Sequence, residues 1–403
     1  MSAPTQGNRR SMTVAGLMSG TSADGVDVAI IRIRLGREAG IGHRGPELSL
    51  EFLGHRSFPF HRGLRQAVLG AMNAPSIATA ELARLNWRLG QAYSEALAGT
   101  LKQIPCRLDL IGCHGQTIYH QPKALPYAGR MVACTWQIGE VALLAAQSRV
   151  PVVSNFRPAD MVAGGQGAPL VPLLDYLLFR HQSRGRVLQN LGGIGNLTAI
   201  PPNAKPAQVL AFDTGPANMI IDQLMQGLFK KNFDASGKCA ARGRVIEPVT
   251  ASMLRHRFFL APPPKTAGRE QFGFEYAQRF LAACQKAGAG AEDTIATATA
   301  LTAESVRLGY SLFVKARMRR APVDFIVSGG GAKNRTLMRM LRAALEPLGC
   351  TVEVSDAVGL PAQAKEAAAF ALLAYQTWHR RPGNLPAATG ARRPAILGGT
   401  THA

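Results

Sequence analysis

Gly16-Leu-Met-Ser-Gly-Thr-Ser-Ala-Asp-Gly-Val-Asp27 joins two strand-like runs, Thr13 to Leu17 and Val26 to Ile33, through the turn-rich segment Ser19 to Gly25. Apolar runs on both sides of such a turn predict a β-hairpin. The pattern returns at Arg186 to Ile200, where RVLQNLGGIGNLTAI again sets glycines between two strand-like runs. Two hairpins of this kind about 170 residues apart predict two related halves, although no residue-level repeat is visible.

Other segments fill in an α/β pattern. Glu81 to Ile104 carries Leu82, Leu85, Leu89, Ala96 and Leu97 at helical spacing, which predicts an amphipathic helix. Leu108 to Cys113 reads as a short strand ending in His114-Gly-Gln-Thr117. Val323 to Val327 runs into Ser328-Gly-Gly-Gly-Ala-Lys-Asn334 and then a helix, and Ala364 to His379 is Ala-rich and helical. Ala261-Pro-Pro-Pro-Lys265 reads as a loop, and the tail after Arg381 as turns ahead of a short strand near Ala395. Together these predict two sheet-containing lobes covered by helices, with ligands in the crevice between lobes.

The glycine turns narrow the chemistry. Successive backbone N–H groups bind phosphate well, and glycine lets the main chain curl around the oxygens. Gly20 to Gly25, Gly192 to Gly195 and Gly329 to Gly331 offer this, although a lone glycine turn also serves simply to join strands. No G-x-x-x-x-G-K-[ST] is present, and no G-x-G-x-x-G opens a strand–helix unit, which disfavours a P-loop ATPase or a Rossmann dehydrogenase. The first two turns sit inside hairpins and the third joins a strand to a helix. This arrangement resembles the sugar kinase, actin and heat-shock chaperone superfamily, in which two hairpins grip the phosphates and a Gly-rich turn meets adenosine.

Composition sets outer bounds. The 403 residues, 47% of them hydrophobic, are enough for two cores. Lys+Arg number 46 against 25 Asp+Glu, a formal charge of +21, and such an excess raises the question of a nucleic-acid partner. The densest basic run, Lys315, Arg317, Arg319 and Arg320, falls at the end of an expected helix, where cations suit the helix dipole. With no zinc-finger spacing, RNA-binding aromatic pattern or long basic tail, no nucleic-acid partner is expected; an Arg-rich surface attracts anionic small molecules instead. The six cysteines show no C-x-x-C pair and read as reduced cytosolic thiols. The polar amino end MSAPTQGNRRSM is no signal core, and no stretch reaches membrane-spanning length, so a cytoplasmic protein is expected.

Closer matches run along the chain. Beside the opening dodecapeptide stand His114-Gly-Gln-Thr117, Gln137-Ile-Gly139, Phe156-Arg157, Gly164-Gly-Gln-Gly-Ala-Pro-Leu-Val-Pro172, Asn190-Leu-Gly-Gly193, Phe212-Asp-Thr-Gly-Pro216, Gly329-Gly-Gly331, Gly383-Asn-Leu-Pro386 and Thr389-Gly390. In these motifs the chain resembles the anhydro-N-acetylmuramic acid kinases over roughly residues 14 to 398. It departs from them at Ala217, where the family commonly has a further glycine, and at Pro158 and Ala159, where some members carry more arginines.

The resemblance implies a two-lobed actin-like/sugar-kinase ATPase fold with an inter-lobe active-site cleft that closes on substrate. One lobe spans 11–155, completed by about 390–403, and the other 156–389. It implies ATP and Mg2+ as cofactors, an anhydro amino sugar with a lactyl carboxylate as substrate, and a homodimer in peptidoglycan recycling. ATP would meet Gly20, Thr21, Ser22, Ala23, Asp24, Gly25, Val26 and Asp27 of the first turn, Gly192 and Gly193 of the second, and Gly329, Gly330 and Gly331 of the third. Asp24 would hold magnesium through water. The main rival on the same fold is a nucleotide-gated chaperone or actin-like assembly protein, but too few residues follow Ala395 for a peptide-binding extension.

Each candidate residue also has a plain structural reading. Asp213 precedes Gly215-Pro216 and a helix expected near Met219; it suits a cap or turn, whereas the resemblance makes it the general base that deprotonates water. His114, Gln116 and Thr117 suit hydroxyl and amide recognition or a satisfied interior. Arg157 suits the lactyl carboxylate or a surface ion pair. Glu366 is implicated in the active site by its family counterpart, or compensates a helix dipole. His120 reads as structural.

Overall fold

A computed structural model describes residues 11–35, 48–355 and 361–403. The polar amino end up to residue 10 thus lies outside the described residues. Strands β1 (Ser11–Ser19), β2 (Gly25–Leu35), β3 (Leu48–Pro59), β4 (Leu110–Tyr127), β5 (Arg130–Ile138) and β6 (Val152–Ser154) come before residue 178. Strands β7 (Gly185–Leu191), β8 (Ile194–Ile200), β9 (Leu210–Pro216), β10 (Val323–Ser328) and β11 (Cys350–Val354) follow, with β12 (Gly399–Thr401) near the carboxyl end.

The strands form two sheets, of order β12-β6-β4-β1-β2-β3, with β5 on β4, and β11-β10-β7-β8-β9. Both contain one five-strand pattern. A hairpin (β1–β2 or β7–β8) takes an antiparallel third strand on one side, and on the other its first strand lies parallel to β4 or β10, which in turn lies parallel to β6 or β11. The two related halves expected from the glycine hairpins are therefore present as shared strand topology.

The chain divides into two compact units, Met1–Leu178 with Gln363–Ala403, and Phe179–Ala362. These bounds differ from the expected 155/156 and 389/390. The reason is packing that sequence order conceals: the helix Lys365–Trp378 lies on β1, β2 and β4, and buried Asp160 bonds Asn384 and Thr389.

In the first unit the period-2 alternation of strands sorts side chains to two faces. Ala15, Leu17, Ile111 and Cys113 share a core with Leu85, Leu89, Tyr93 and Leu97 of the helix Thr79–Gln103. Gly16 and Gly112, register partners on β1 and β4, face the other helix, Lys365–Trp378. A Cβ on Gly16 would stand 1.8 Å from the Ala367 carbonyl oxygen, and one on Gly112 2.2 Å from that of Phe370. Backbone rests on backbone here, which only glycine allows, and the helix contributes buried Ala367, Ala368, Ala371 and Ala374.

In the second unit the sheet core of Val187, Phe212, Phe325 and Val327 packs on Leu337 and Leu341 of the helix Arg335–Leu345. A second cluster joins Phe258, Phe259, Phe272, Tyr276 and Phe280 to Ile220 and Leu224. Two expectations need correction. His114 to Thr117 lie inside β4 rather than at a strand end, because pairing with β5 carries the strand to Tyr127. The last strand is Gly399–Thr401 on β6, not a strand near Ala395, whose amide instead bonds Asn384. All six cysteines are free thiols, and no helix among the described residues is long and apolar enough to cross a membrane.

Candidate functional site

The first glycine turn is held from below by Gln116, which is fully buried. Its Oε1 accepts from Ser19 Oγ at 2.5 Å and its Nε2 donates to the Gly20 carbonyl at 3.2 Å, so Gln116 clamps the start of the turn rather than presenting a free amide. Within the turn, Ala23 adopts a left-handed φ of 52° and donates to the Gly20 carbonyl. Asp24 is 70% exposed and pairs with Arg65 at 3.1 Å; an exposed pair is worth little and yields easily. Asp27 accepts from His55 Nε2 at 3.1 Å and from Ser57 Oγ. No group of three or more His, Cys, Asp or Glu placed for a metal occurs among the described residues. Magnesium, however, characteristically takes one or two carboxylates plus substrate phosphates and water, and Asp24 fits that donor set.

A second constellation in the same unit centres on Arg157. Its Nε donates to His114 Nε2 at 2.9 Å and its Nη1 to the Gly167 carbonyl at 2.7 Å. Because Nε2 of His114 accepts, the ring proton must sit on Nδ1, which donates to the Gly115 carbonyl at 2.7 Å. Burial, and then the Arg157 charge, hold this imidazole well below the usual histidine range, so it is neutral. Burial also lowers the guanidinium to about 10, against the pull of Glu366 and Asp160, and it stays charged at neutral pH. Glu366 remains open to solvent, yet surrounding protein raises its carboxyl through desolvation, with Arg157 opposing. Thr117 Oγ1 accepts from Gln137 Nε2 at 3.2 Å, and His120 pairs with Thr135 across β5 at 2.9 Å.

Asp160, given no role in the sequence reading, organises this region. Fully buried, it accepts from Gly167 N at 2.8 Å, Asn384 Nδ2 at 2.6 Å and Thr389 Oγ1 at 2.7 Å. A buried carboxylate needs several donors to offset its desolvation, and these three tie the Gly164–Pro172 loop to the Gly383–Pro386 and Thr389 motifs. Gly167, fixed at its N–H by Asp160, fixes Arg157 through its carbonyl. The co-occurrence of the three motifs was the available signal, but not which side chain joined them.

In the second unit, the turn of the β7–β8 hairpin accepts from the start of the helix Asn218–Phe229: Asn218 N bonds the Gly192 carbonyl at 3.0 Å, and Ala217 N and Met219 N bond that of Gly193 at 3.0 and 3.1 Å. The third turn packs on the end of β7, since a Cβ on Gly329, whose φ is 84°, would meet Asn190 Oδ1 at 2.5 Å; Gly330 and Gly331 begin the single turn that follows. Asp213 sits in β9 opposite Asn196. It is not the helix cap: that position is Ala217, and no side chain caps it. Instead Asp213 Oδ2 accepts from Ala267 N at 2.7 Å, and Asp213 N donates to the Lys265 carbonyl at 3.0 Å. Lys265, missed because it closes a proline-rich loop, is buried. Burial pulls its ammonium down to about 8, with Asp213 opposing.

A family model of anhydro-N-acetylmuramic acid kinase matches residues 12–403. A protein of Bacillus cereus (strain AH187) bearing that name is 41% identical over 394 residues, covering 97% of this chain and 99% of the relative. One of Bacillus anthracis (strain CDC 684 / NRRL 3495), of the same name, is 40% identical over 393 residues, covering 97% and 99%. Among solved structures, the activator of 2-hydroxyisocaproyl-CoA dehydratase from Clostridium difficile with bound ADPNP superposes with a TM-score of 0.41 at 12% identity, over 92% of this chain and 96% of that one; so loose a likeness carries no argument. On the family match and the 41% identity over nearly its whole length, the chain belongs to the anhydro-N-acetylmuramic acid kinase family.

Proposed function

We propose that this chain opens 1,6-anhydro-N-acetylmuramic acid with water and phosphorylates its 6-oxygen from ATP, giving N-acetylmuramic acid 6-phosphate and ADP in peptidoglycan recycling. The observation that carries the mechanism is Asp213: its carboxylate is aimed by a main-chain N–H and is not spent on capping a helix. As general base it takes a proton from water while the water oxygen bonds the anomeric carbon. The bond from that carbon to O6 breaks, O6 attacks the γ-phosphorus, and the β–γ bridging bond breaks to release ADP. Magnesium, held through water by Asp24, would neutralise charge on the transferring phosphoryl.

The backbone of Gly20–Asp27, Gly192–Gly193 and Gly329–Gly331 would cradle ATP. On the sugar, Arg157 would pair with the lactyl carboxylate, Glu366 and Thr117 would meet hydroxyls, and neutral His114 and Gln116 would hold Arg157 and the first turn in place. The enzyme is proposed to be a cytoplasmic homodimer, a state that mass in solution tests.

The defining assay couples ADP release to a panel of anhydro and reducing sugars. Turnover is expected only with the anhydro amino sugar and magnesium; equal ADP release without sugar would sink the reading in favour of a chaperone-like ATPase. Arg157→Lys is expected to raise KM for the sugar about tenfold to a hundredfold, the worth of a lost bidentate charged contact, with the ATP KM unchanged. Measured beside 1,6-anhydro-N-acetylglucosamine, which has no lactyl group, the variant should lose its discrimination; an unaltered ratio of kcat/KM values would remove the carboxylate contact.

A further inference from the structure

We infer that Lys265 is a positioning residue for Asp213, holding the loop that aims the carboxylate at its water. This rests on the reading of Asp213 as the base. The loop brackets Asp213 from both of its backbone-facing sides: the Lys265 carbonyl takes the Asp213 N–H at 3.0 Å, and the Ala267 N–H goes to Asp213 Oδ2 at 2.7 Å. Two residues thus hold both the main chain of Asp213 and one of its carboxylate oxygens.

A loop opening with Pro262-Pro-Pro264 has few backbone N–H groups with which to fasten itself. Lys265 supplies the fastening. Its Nζ donates to the Phe258 and Phe259 carbonyls, each at 3.0 Å. These belong to the short helix Arg257–Leu260, whose last carbonyls need partners.

The ammonium is walled in by rings. Nζ lies 5.5 Å from the centroid of Phe212, 4.9 Å from that of Phe258 and 4.7 Å from that of Phe313. Phe212 is the residue before Asp213 on β9, and Phe259 packs on Gly215 two residues after it. The lysine therefore grips β9 on either side of the base. An ammonium is costly to bury unless something nearby rewards its charge, and the attraction of Asp213 is such a reward. Nothing in the proposed reaction needs Lys265 to touch substrate.

Lys265→Met keeps a long stem for the ring cage and removes the donors. We expect kcat to fall about tenfold to a hundredfold, the cost of a base displaced by up to an ångström, with KM for sugar and ATP within about twofold and the protein folded by circular dichroism. The decisive measurement is a double-mutant cycle. On an Asp213→Asn background Lys265→Met should lower turnover less than about twofold, because the group it positions is already gone.

Full additivity in the cycle, or parental kcat in folded Lys265→Met, overturns the inference. Should that variant not fold, Ala267→Pro, which deletes the donor to Oδ2 and leaves the lysine, carries the test: the same loss of kcat alone is expected, and parental kcat overturns. The two readings separate cleanly. Parental turnover by Asp213→Asn removes the base itself, whereas a slow Asp213→Asn beside a fast Lys265→Met removes only the positioning role.

Discussion

Asp213→Asn is expected to lower ring opening by about two to four orders of magnitude, the usual contribution of a positioned general base. The substitution keeps size and a carbonyl oxygen able to accept from Ala267 N–H, so the geometry of β9 survives. What it loses is the capacity to take a proton from water. Phosphorylation should fall in step, because O6 is tied in the bridge until the anomeric bond breaks and so cannot act as nucleophile. ATP affinity should persist, since Gly20 to Asp27 and Gly329 to Gly331 are untouched. Calorimetry for nucleotide and mass spectrometry for both products, on parent and variant, measure the two halves separately. Near-normal 6-phosphate from a folded variant would return Asp213 to a structural role.

How far the site was legible in the sequence depends on the range of the interactions. Turns are local: Gly20 to Gly25 and Gly192–Gly193 announce hairpins because flanking strands and turn residues lie within a dozen positions, and both hairpins are found. Asp213 was ambiguous on local grounds, since capping chemistry and base chemistry ask for the same side chain; the partner that its carboxylate takes instead of a helix end, Ala267 N, is 54 residues away. Asp160 itself gave no signal beyond the co-occurrence of the motifs that it joins. Its donors come from seven, 224 and 229 residues along the chain, and only folding shows that one buried carboxylate is shared among them. His114 was similarly undecided between ligand and satisfied interior. Its neutral tautomer follows from Arg157, 43 residues on.

The boundary between units failed for a related reason. Reading along the chain favours contiguous lobes, whereas the helix Lys365–Trp378 returns to the first sheet after some 180 residues spent in the second unit. Its alanines looked like helix propensity alone. They are small because Gly16 and Gly112 bring the strand backbone up against them.

Gly16→Ala should accordingly be among the most damaging single substitutions in the first unit. Its Cβ would stand 1.8 Å from the Ala367 carbonyl oxygen and 2.6 Å from the Ala371 amide nitrogen; both are helix backbone, so no side chain can swing aside. Either the helix lifts off β1 or the strand bends. Overpacking of this kind costs about 3 kcal/mol or more, and at about 2–4 °C per kcal/mol for a unit of this size the melting temperature should drop by roughly 6–12 °C. The damage should reach the proposed sugar contacts too, because Glu366 precedes Ala367 and its carboxyl feels Arg157 and Asp27. Gly70→Ala is the matched control. Gly70 lies in the helix Arg62–Ala71 with nothing within 4 Å of a new Cβ, and replacing a helical glycine there should stabilise by about 0.5 kcal/mol. Thermal melts of parent and both variants read the contrast directly. A Gly16→Ala protein that melts with the parent would mean that strand and helix do not meet backbone to backbone, and the account of how Glu366 is placed would go with it.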